Sequence, residues 1–534
     1  MKRLFAILAV VICIFSLPLI TITAAPPAQR IRSCQTDIIV QADDSLHKLA
    51  DKYYGDISRY SAIVTATNQR HEIDASYAKI DQAERLEPGW KLCLPVLSPV
   101  QPLPTGDGQT AGSLDEQLRH TLNQFGITPL DPGPEPDPAK VVLGQALYFD
   151  KILGGNQDIA CATCHLPSQH TGDGLPLSIG TGGLKIGPDR NLGPNQGFIP
   201  RNAPEIFNRG APGWTTMFWD SRVSGSPEAG FNTPAETVLP DGLDNVLAAQ
   251  AMFPVISRAE MRGQIGGLHG RPNEVADAED EDYSTIWAAL IQRLLTVPEY
   301  VTLFQAAYPD LTTDQLGFQH AANAIAAFEI DAFTFLNSPW DNYVAGDNAA
   351  ISEQVKLGAL LFYGEAGCAN CHSGNLFTDQ LHHNIAVPQV GPGRDDEAPL
   401  DVGRFAETGQ AADRFAFRTP PLRNVALTGP WMHNGAYTNL ADAAILPYID
   451  PEAALRHYDV TQLPAELRNS FQQDEVTFVD ILATLDPLVQ SGITLSDQEA
   501  AQLLAFLNAL TDPAALDLSN TVPESVPSGL SIDH

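Results

Sequence analysis

Cys161-Ala162-Thr163-Cys164-His165 and Cys368-Ala369-Asn370-Cys371-His372 are the stretches on which the reading of this sequence turns. Each sets two thiols one helical turn apart and an imidazole directly after the second. Two such thiols can add to the two vinyl groups of a haem, and the histidine then reaches the iron from the proximal side. A zinc site built from all four cysteines and a redox dithiol are the competing chemistries. Zinc ribbons bring their pairs closer in sequence and do not need a histidine after each. The spacing therefore predicts two covalently bound c-type haems.

Moving outward, Leu143-Gly144-Gln145-Ala146-Leu147-Tyr148-Phe149 precedes the first motif and Leu357-Gly358-Ala359-Leu360-Leu361-Phe362-Tyr363 the second. This echo implies two related helical domains. Apolar residues recur at helical spacing over 283–308, 313–337 and 497–510, and strand-like alternation is rare after residue 110, so this part is expected to be mainly α. The predicted order is a first haem domain over 113–338, a second over 339–515 and a C-terminal tail over 516–534.

The whole chain has 534 residues, with 64 Asp and Glu against 31 Lys and Arg, a formal charge of −33. A nucleic-acid surface needs clustered Lys and Arg and is excluded. With 44% hydrophobic residues the chain can bury a sizeable core, and 41 Gly and 41 Pro predict long connecting loops. Lys2 and Arg3, an apolar run over 4–22 and the small residues Thr23-Ala24-Ala25 have the layout of a secretory signal over 1–25. An uncleaved membrane anchor is the alternative, because the run is at the edge of spanning length. Export agrees with c-type haems, which are attached outside the cytoplasm, and places the protein in the periplasm or at the cell wall.

Residues 34–96 read as a small α+β unit. It has a strand over 37–41, a helix capped by Ser45, a second helix over 58–68 and a closing strand around Trp90–Cys93. With Tyr53-Tyr54-Gly55-Asp56 after the first helix and Glu87-Pro88-Gly89 before the last strand, this βααβ order resembles a LysM domain. The resemblance implies binding to N-acetylglucosamine-containing cell-wall glycan. Cys34 and Cys93 bracket the unit and in an oxidising compartment should close it with a disulfide, stabilising by ~2–4 kcal/mol. Residues 97–112, rich in Pro, Gly, Thr and Gln, read as a linker.

Further motifs sharpen the reading of the haem domains. They are Arg201-Asn202-Ala203-Pro204, Phe218-Trp219-Asp220-Ser221-Arg222, Phe253-Pro254-Val255 to Glu260-Met261, and Phe417-Arg418-Thr419-Pro420-Pro421-Leu422-Arg423-Asn424-Val425 running to His433-Asn434-Gly435. With both haem motifs, residues 140–515 resemble the bacterial diheme cytochrome c peroxidase family, which includes the MauG-type enzymes. The resemblance implies two cytochrome c-like helical domains. The haem on Cys161, Cys164 and His165 would bind peroxide, and that on Cys368, Cys371 and His372 would take in electrons.

Glu260 matches the distal carboxylate that moves a proton, though a helix-start Glu paired with Arg258 or Arg262 would look the same in sequence. Trp219 matches the tryptophan lying between the haems. Asn202, Thr428 and Pro430 match positions around a calcium ion. Reductively activated members carry a second His ligand where this chain has Thr181, a poor iron ligand, so the first haem is expected to be open at rest; His170 reads as a loop residue. Family peroxidases use a Met on the second haem, but the stretch 440–450 has none. Tyr448 takes its place as in MauG-type members, with Met432, His433, His382 and His383 as alternatives.

These features predict an exported peroxidase reducing hydrogen peroxide to water with electrons from a small, basic donor such as a cytochrome c, steered by the acidic surface. The alternatives are a MauG-type oxidase that modifies Trp or Tyr of a partner protein, and a wall-bound electron-transfer or peroxide-sensing protein without turnover. The sequence does not decide between a monomer and a homodimer.

Overall fold

A computed structural model of the chain describes residues 34–40, 49, 52–53, 60–71, 73–80, 89–95, 113–268 and 272–533. The signal over 1–25, the linker over 97–112 and the Ser45 cap with most of its helix lie outside the described residues. Two units make up the chain, 1–97 and 98–534.

In the first unit, β1 (Cys34–Ile39) pairs antiparallel with β2 (Lys91–Pro95), placing Asp37 opposite Cys93. Helix α1 (Tyr60–His71) buries Ile63 against Leu92, Leu94 and Val40. Thr67 clamps the closing strand, its hydroxyl accepting from the Cys93 N–H at 3.0 Å. Cys34 and Cys93 form the expected disulfide. The first strand lies over 34–39 rather than 37–41, since the pairing begins at the bridged end.

The regular elements of the second unit are almost all helices, joined by long loops. Helix α2 (Leu114–Gln124) opens on a Ser113/Glu116 capping box, and α3 (Pro138–Phe149) on Asp137. Then follow α4 (Cys161–Cys164), a three-stranded sheet of β3 (Thr216–Met217), β4 (Val223–Ser226) and β5 (Gly230–Asn232), and α5 (Tyr283–Leu295) with α6 (Pro298–Ala307). The periodic stretch 283–308 is thus two helices, because Pro298 has no N–H for a continuing ladder. Helices α7 (Phe318–Phe333) and α8 (Glu353–Tyr363), strands β6 (His382–His383) and β7 (Phe417–Arg418), and helices α9 (Leu440–Ile449) and α10 (Asp497–Ala509) complete the elements that position the site.

The echo seen in sequence is a packing echo. A Cβ on Gly144 of α3 would lie 1.9 Å from the Ala324 carbonyl oxygen of α7, and one on Gly358 of α8 would lie 1.9 Å from the Gln502 carbonyl oxygen of α10. Each Leu-Gly step therefore marks a crossing where only glycine lets two helix backbones touch. Around the first crossing a core gathers Leu143, Leu147, Tyr148, Phe328 and Phe333, and around the second Trp340, Phe362, Tyr363 and Phe506.

Packing crosses the domain limits drawn from sequence. Helix α2, assigned with the first haem domain, buries Leu118 and Leu122 in the second core. The described part of the tail, 516–533, is a strap on the first domain. It buries Leu518 and Val526 in that core, bonds Ser528 to Asp150, and puts the Asp533 carboxylate 2.7 Å from the Thr163 hydroxyl and 2.7 Å from Lys151 Nζ. Amphipathicity shows that a segment has a face to bury; it does not show which of two similar cores receives it. No described helix is long and apolar enough to cross a membrane.

Candidate haem sites and the catalytic pocket

Both proximal histidines are set in the same way. His165 Nδ1 donates to the Thr171 carbonyl at 2.9 Å, and His372 Nδ1 donates to the Phe377 carbonyl at 3.0 Å. This fixes the tautomer and leaves Nε2 with a lone pair for a metal. Burial lowers the pKa of both rings, keeping them neutral and ligand-competent. All four motif cysteines are free thiols. Burial raises the pKa of each, so no thiolate is stabilised as a redox dithiol would require. Among the described residues the only cluster of metal-binding spacing is Cys371, Asp379 and His383, so the two cysteine pairs do not converge on one zinc site. Free thiols, oriented imidazoles and the apolar walls around them fit two covalent haems.

Glu260 sits on a single π-helical turn, Arg258–Arg262, where the Arg262 N–H reaches back to the Ser257 carbonyl. Arg258 and Arg262 do not pair with it; both bind Asp280, at 2.5 and 2.8 Å. The Glu260 carboxyl makes no hydrogen bond or ion pair among the described residues, and its charge acts on the Cys164 thiol. Burial raises its pKa, while Arg222 and Arg394 pull it down. This is a carboxyl poised to exchange a proton beside the first haem motif.

Thr181 lies against the same turn, its N–H donating to the Glu260 carbonyl at 2.8 Å. Its hydroxyl is fully engaged, donating to Asp158 Oδ1 at 2.7 Å and accepting from Asn156 Nδ2 at 2.7 Å. The Thr181 hydroxyl is thus held by its neighbours and is not offered as a ligand. His170 Nδ1 donates to the Ala515 carbonyl, just before the strap, 3.0 Å away.

Trp219 is buried at the junction of the two domains. Its indole N–H donates to the Asn202 carbonyl at 3.1 Å, and its own carbonyl accepts from Arg418 N–H at 2.8 Å. Asn202 donates its side-chain N–H to Leu175 and its backbone N–H to His433, leaving the side-chain oxygen without a donor among the described residues. Next to it, Asp220 is wholly buried and binds Arg201, Arg222 and Arg394, while Arg201 also grips Asp401 through two bonds of 2.6 and 2.8 Å. This network joins the two haem domains, and sequence gave no sign of it, because its members lie up to 200 positions apart.

Around the second motif, the alternative ligands fare differently. His383 donates from both nitrogens, to Asp486 at 2.6 Å and Asp379 at 3.0 Å, so it is an imidazolium with no lone pair; its pKa is pushed up to about 12. His382 faces the Ser221 hydroxyl at 2.9 Å. His433 stacks on Phe417 at 3.5 Å, with Asn202 on its carbonyl. Tyr448 follows Pro447 at the end of α9, and the Cys371 and Cys368 thiols are among the charges acting on its phenol.

Fold and site together define a helical protein with two Cys-x-x-Cys-His sites fit for c-type haem and, beside the first, one partly buried carboxyl that is unpaired among the described residues. A profile of the di-haem cytochrome c peroxidase family matches residues 138–349. The methylamine utilization protein MauG of Methylorubrum extorquens is 30% identical, over 71% of this chain and 81% of that one. The cytochrome c551 peroxidase of Pseudomonas aeruginosa is 31% identical, over 57% of this chain and 70% of that one. The chain belongs to the di-haem cytochrome c peroxidase family. A crystal structure of a MauG-like protein associated with microbial copper homeostasis shares the fold, with a TM-score of 0.51 and 24% identity over 75% of this chain and 97% of that one.

Proposed function

We propose that this protein is an exported peroxidase that reduces hydrogen peroxide to water, taking electrons from a small redox protein at the second haem and passing them to the first. The haems, when bound, supply the iron that holds peroxide and carries electrons. Glu260 accepts the proton of the near peroxide oxygen and returns it to the far one, so that water leaves; two electrons and two protons complete the conversion to two waters. Thr181, its hydroxyl tied to Asp158 and Asn156, keeps the approach to the first haem clear. Trp219 offers a π system at the domain junction for electron passage. A groove of about 220 Å³ lined by Ser373, Gly374, Asn375 and Leu376, directly after His372, suits donor contact beside the second haem.

The observation that carries this reading is the Glu260 carboxyl, unpaired although two arginines share its turn. Glu260→Gln tests it: peroxide turnover should collapse with both haems in place, and unchanged turnover would remove Glu260 from the mechanism. Tyr448 near the second motif favours a second reading, a MauG-type oxidation of Trp or Tyr in a partner protein. Trapping a cross-linked or hydroxylated partner after peroxide addition would support it.

Three companion readings belong to this proposal. Asn202, Thr428 and Pro430 hold a calcium ion, for which the undonated Asn202 oxygen is the support; chelation should then alter the haem spectra. The N-terminal unit binds cell-wall glycan, supported by its strand–helix–strand order, and sedimentation with peptidoglycan tests it. Tyr448 is the distal ligand of the second haem.

A further inference from the structure

Buried Trp214 carries two guanidinium groups against its ring, Arg209 at 4.1 Å and Arg418 at 5.1 Å from the centroid. One comes from the first haem domain and one from β7 of the second, and they are only 5% and 3% exposed. Arg209 spends Nη2 on the Glu205 carbonyl and carboxylate, but its buried Nη1 has no partner. Arg418 donates Nε to the Phe218 carbonyl and Nη1 to the Thr419 carbonyl, and no carboxylate pairs with it among the described residues. The other buried acid nearby, Glu329, leaves Oε2 unpartnered, and burial pushes its pKa up to about 8, so it is protonated at neutral pH. Two cations therefore face one ionised carboxylate of their own, Glu205, since Asp220, which also acts on Arg418, already serves Arg201, Arg222 and Arg394. An uncompensated guanidinium in a protein interior is strongly unfavourable, so an anion belongs here.

Position says which anion. The Arg209 charge acts on the His165 ring, and Pro420, two residues after Arg418, sets its carbonyl against the His372 ring. Each arginine thus stands beside one haem site, and the anionic groups a haem brings are its propionate carboxylates. A guanidinium fork matches a carboxylate in geometry and charge. We propose that Arg209 binds a propionate of the first haem and Arg418 a propionate of the second, with Trp214 joining the two clamps across the domain junction. This rests on two haems being bound and does not depend on peroxidase activity.

Spectroelectrochemical titration of the holoprotein, with resonance Raman of the propionate bending bands, tests the assignment in Arg418→Gln, Arg418→Lys and Arg209→Gln. Arg418→Gln should lower the potential of the second haem and move its propionate band while the first haem keeps both. Arg209→Gln should do the converse. Arg418→Lys, retaining the charge, should hold the potential near wild type and change the band alone. The assignment is overturned if Arg418→Gln leaves the second haem unchanged, if both haems shift alike, or if the lysine variant fails to load haem as the glutamine variant does, which would mark the residue as packing only. A wild-type pyridine haemochrome value short of two haems would instead overturn the underlying two-haem reading.

Discussion

In the proposed mechanism a single side chain, Glu260, carries most of the proton chemistry, and its surroundings set its pH behaviour. Burial raises the folded pKa above the ordinary 4.5. The base form is thus lost on acidification at a higher pH than for an exposed glutamate, and turnover should fall along an acidic limb with its midpoint above 4.5. Glu260→Gln should remove that limb and slow peroxide turnover by about 10²–10⁴-fold. On the other haem, His383 is a cation between two carboxylates. His383→Gln should therefore leave the axial-ligand signature of the second haem in the near-infrared spectrum unchanged, whereas Tyr448→Phe should alter it.

Among the elements, the paired helix crossings make the sharpest prediction. Gly144→Ala or Gly358→Ala drives a methyl into a facing carbonyl and should destabilise by at least about 1–3 kcal/mol, read as a lower thermal midpoint followed at the haem bands. The repeat of two helical haem domains was legible in sequence because Leu-Gly and Cys-x-x-Cys-His are local patterns, each repeated; the close crossings at its glycines were seen only in the fold. What escaped was set by distant partners. The destination of α2 and of the strap ending at Asp533 depends on which core offers a matching surface. The binding of Arg258 and Arg262 to Asp280 depends on a loop some twenty residues on. His383 shows the same limit: its partner Asp486, 103 positions away, turns a ligand candidate into a fixed charge.

For the whole molecule, charge acts at two ranges. If the proposed donor is basic, a net −33 should make encounter fast at low salt, and the second-order rate of reduction should fall steeply with ionic strength. Inside, the Arg201–Asp401–Asp220 network holds the domains together. Asp401 is held down to about 2 from an ordinary 3.8, and Asp220 is depressed further by its three arginines. The contribution of Asp401 to stability is present above the ordinary 3.8 and is lost as the pH falls through about 2, whereas that of Asp220 is lost only at still lower pH. The central claim remains that Thr181 leaves the first haem open beside a working Glu260. Stopped-flow addition of hydrogen peroxide to the fully oxidised protein tests it most directly. The account predicts an immediate change in the haem spectrum without prior reduction; no reaction until one electron has been added would contradict it.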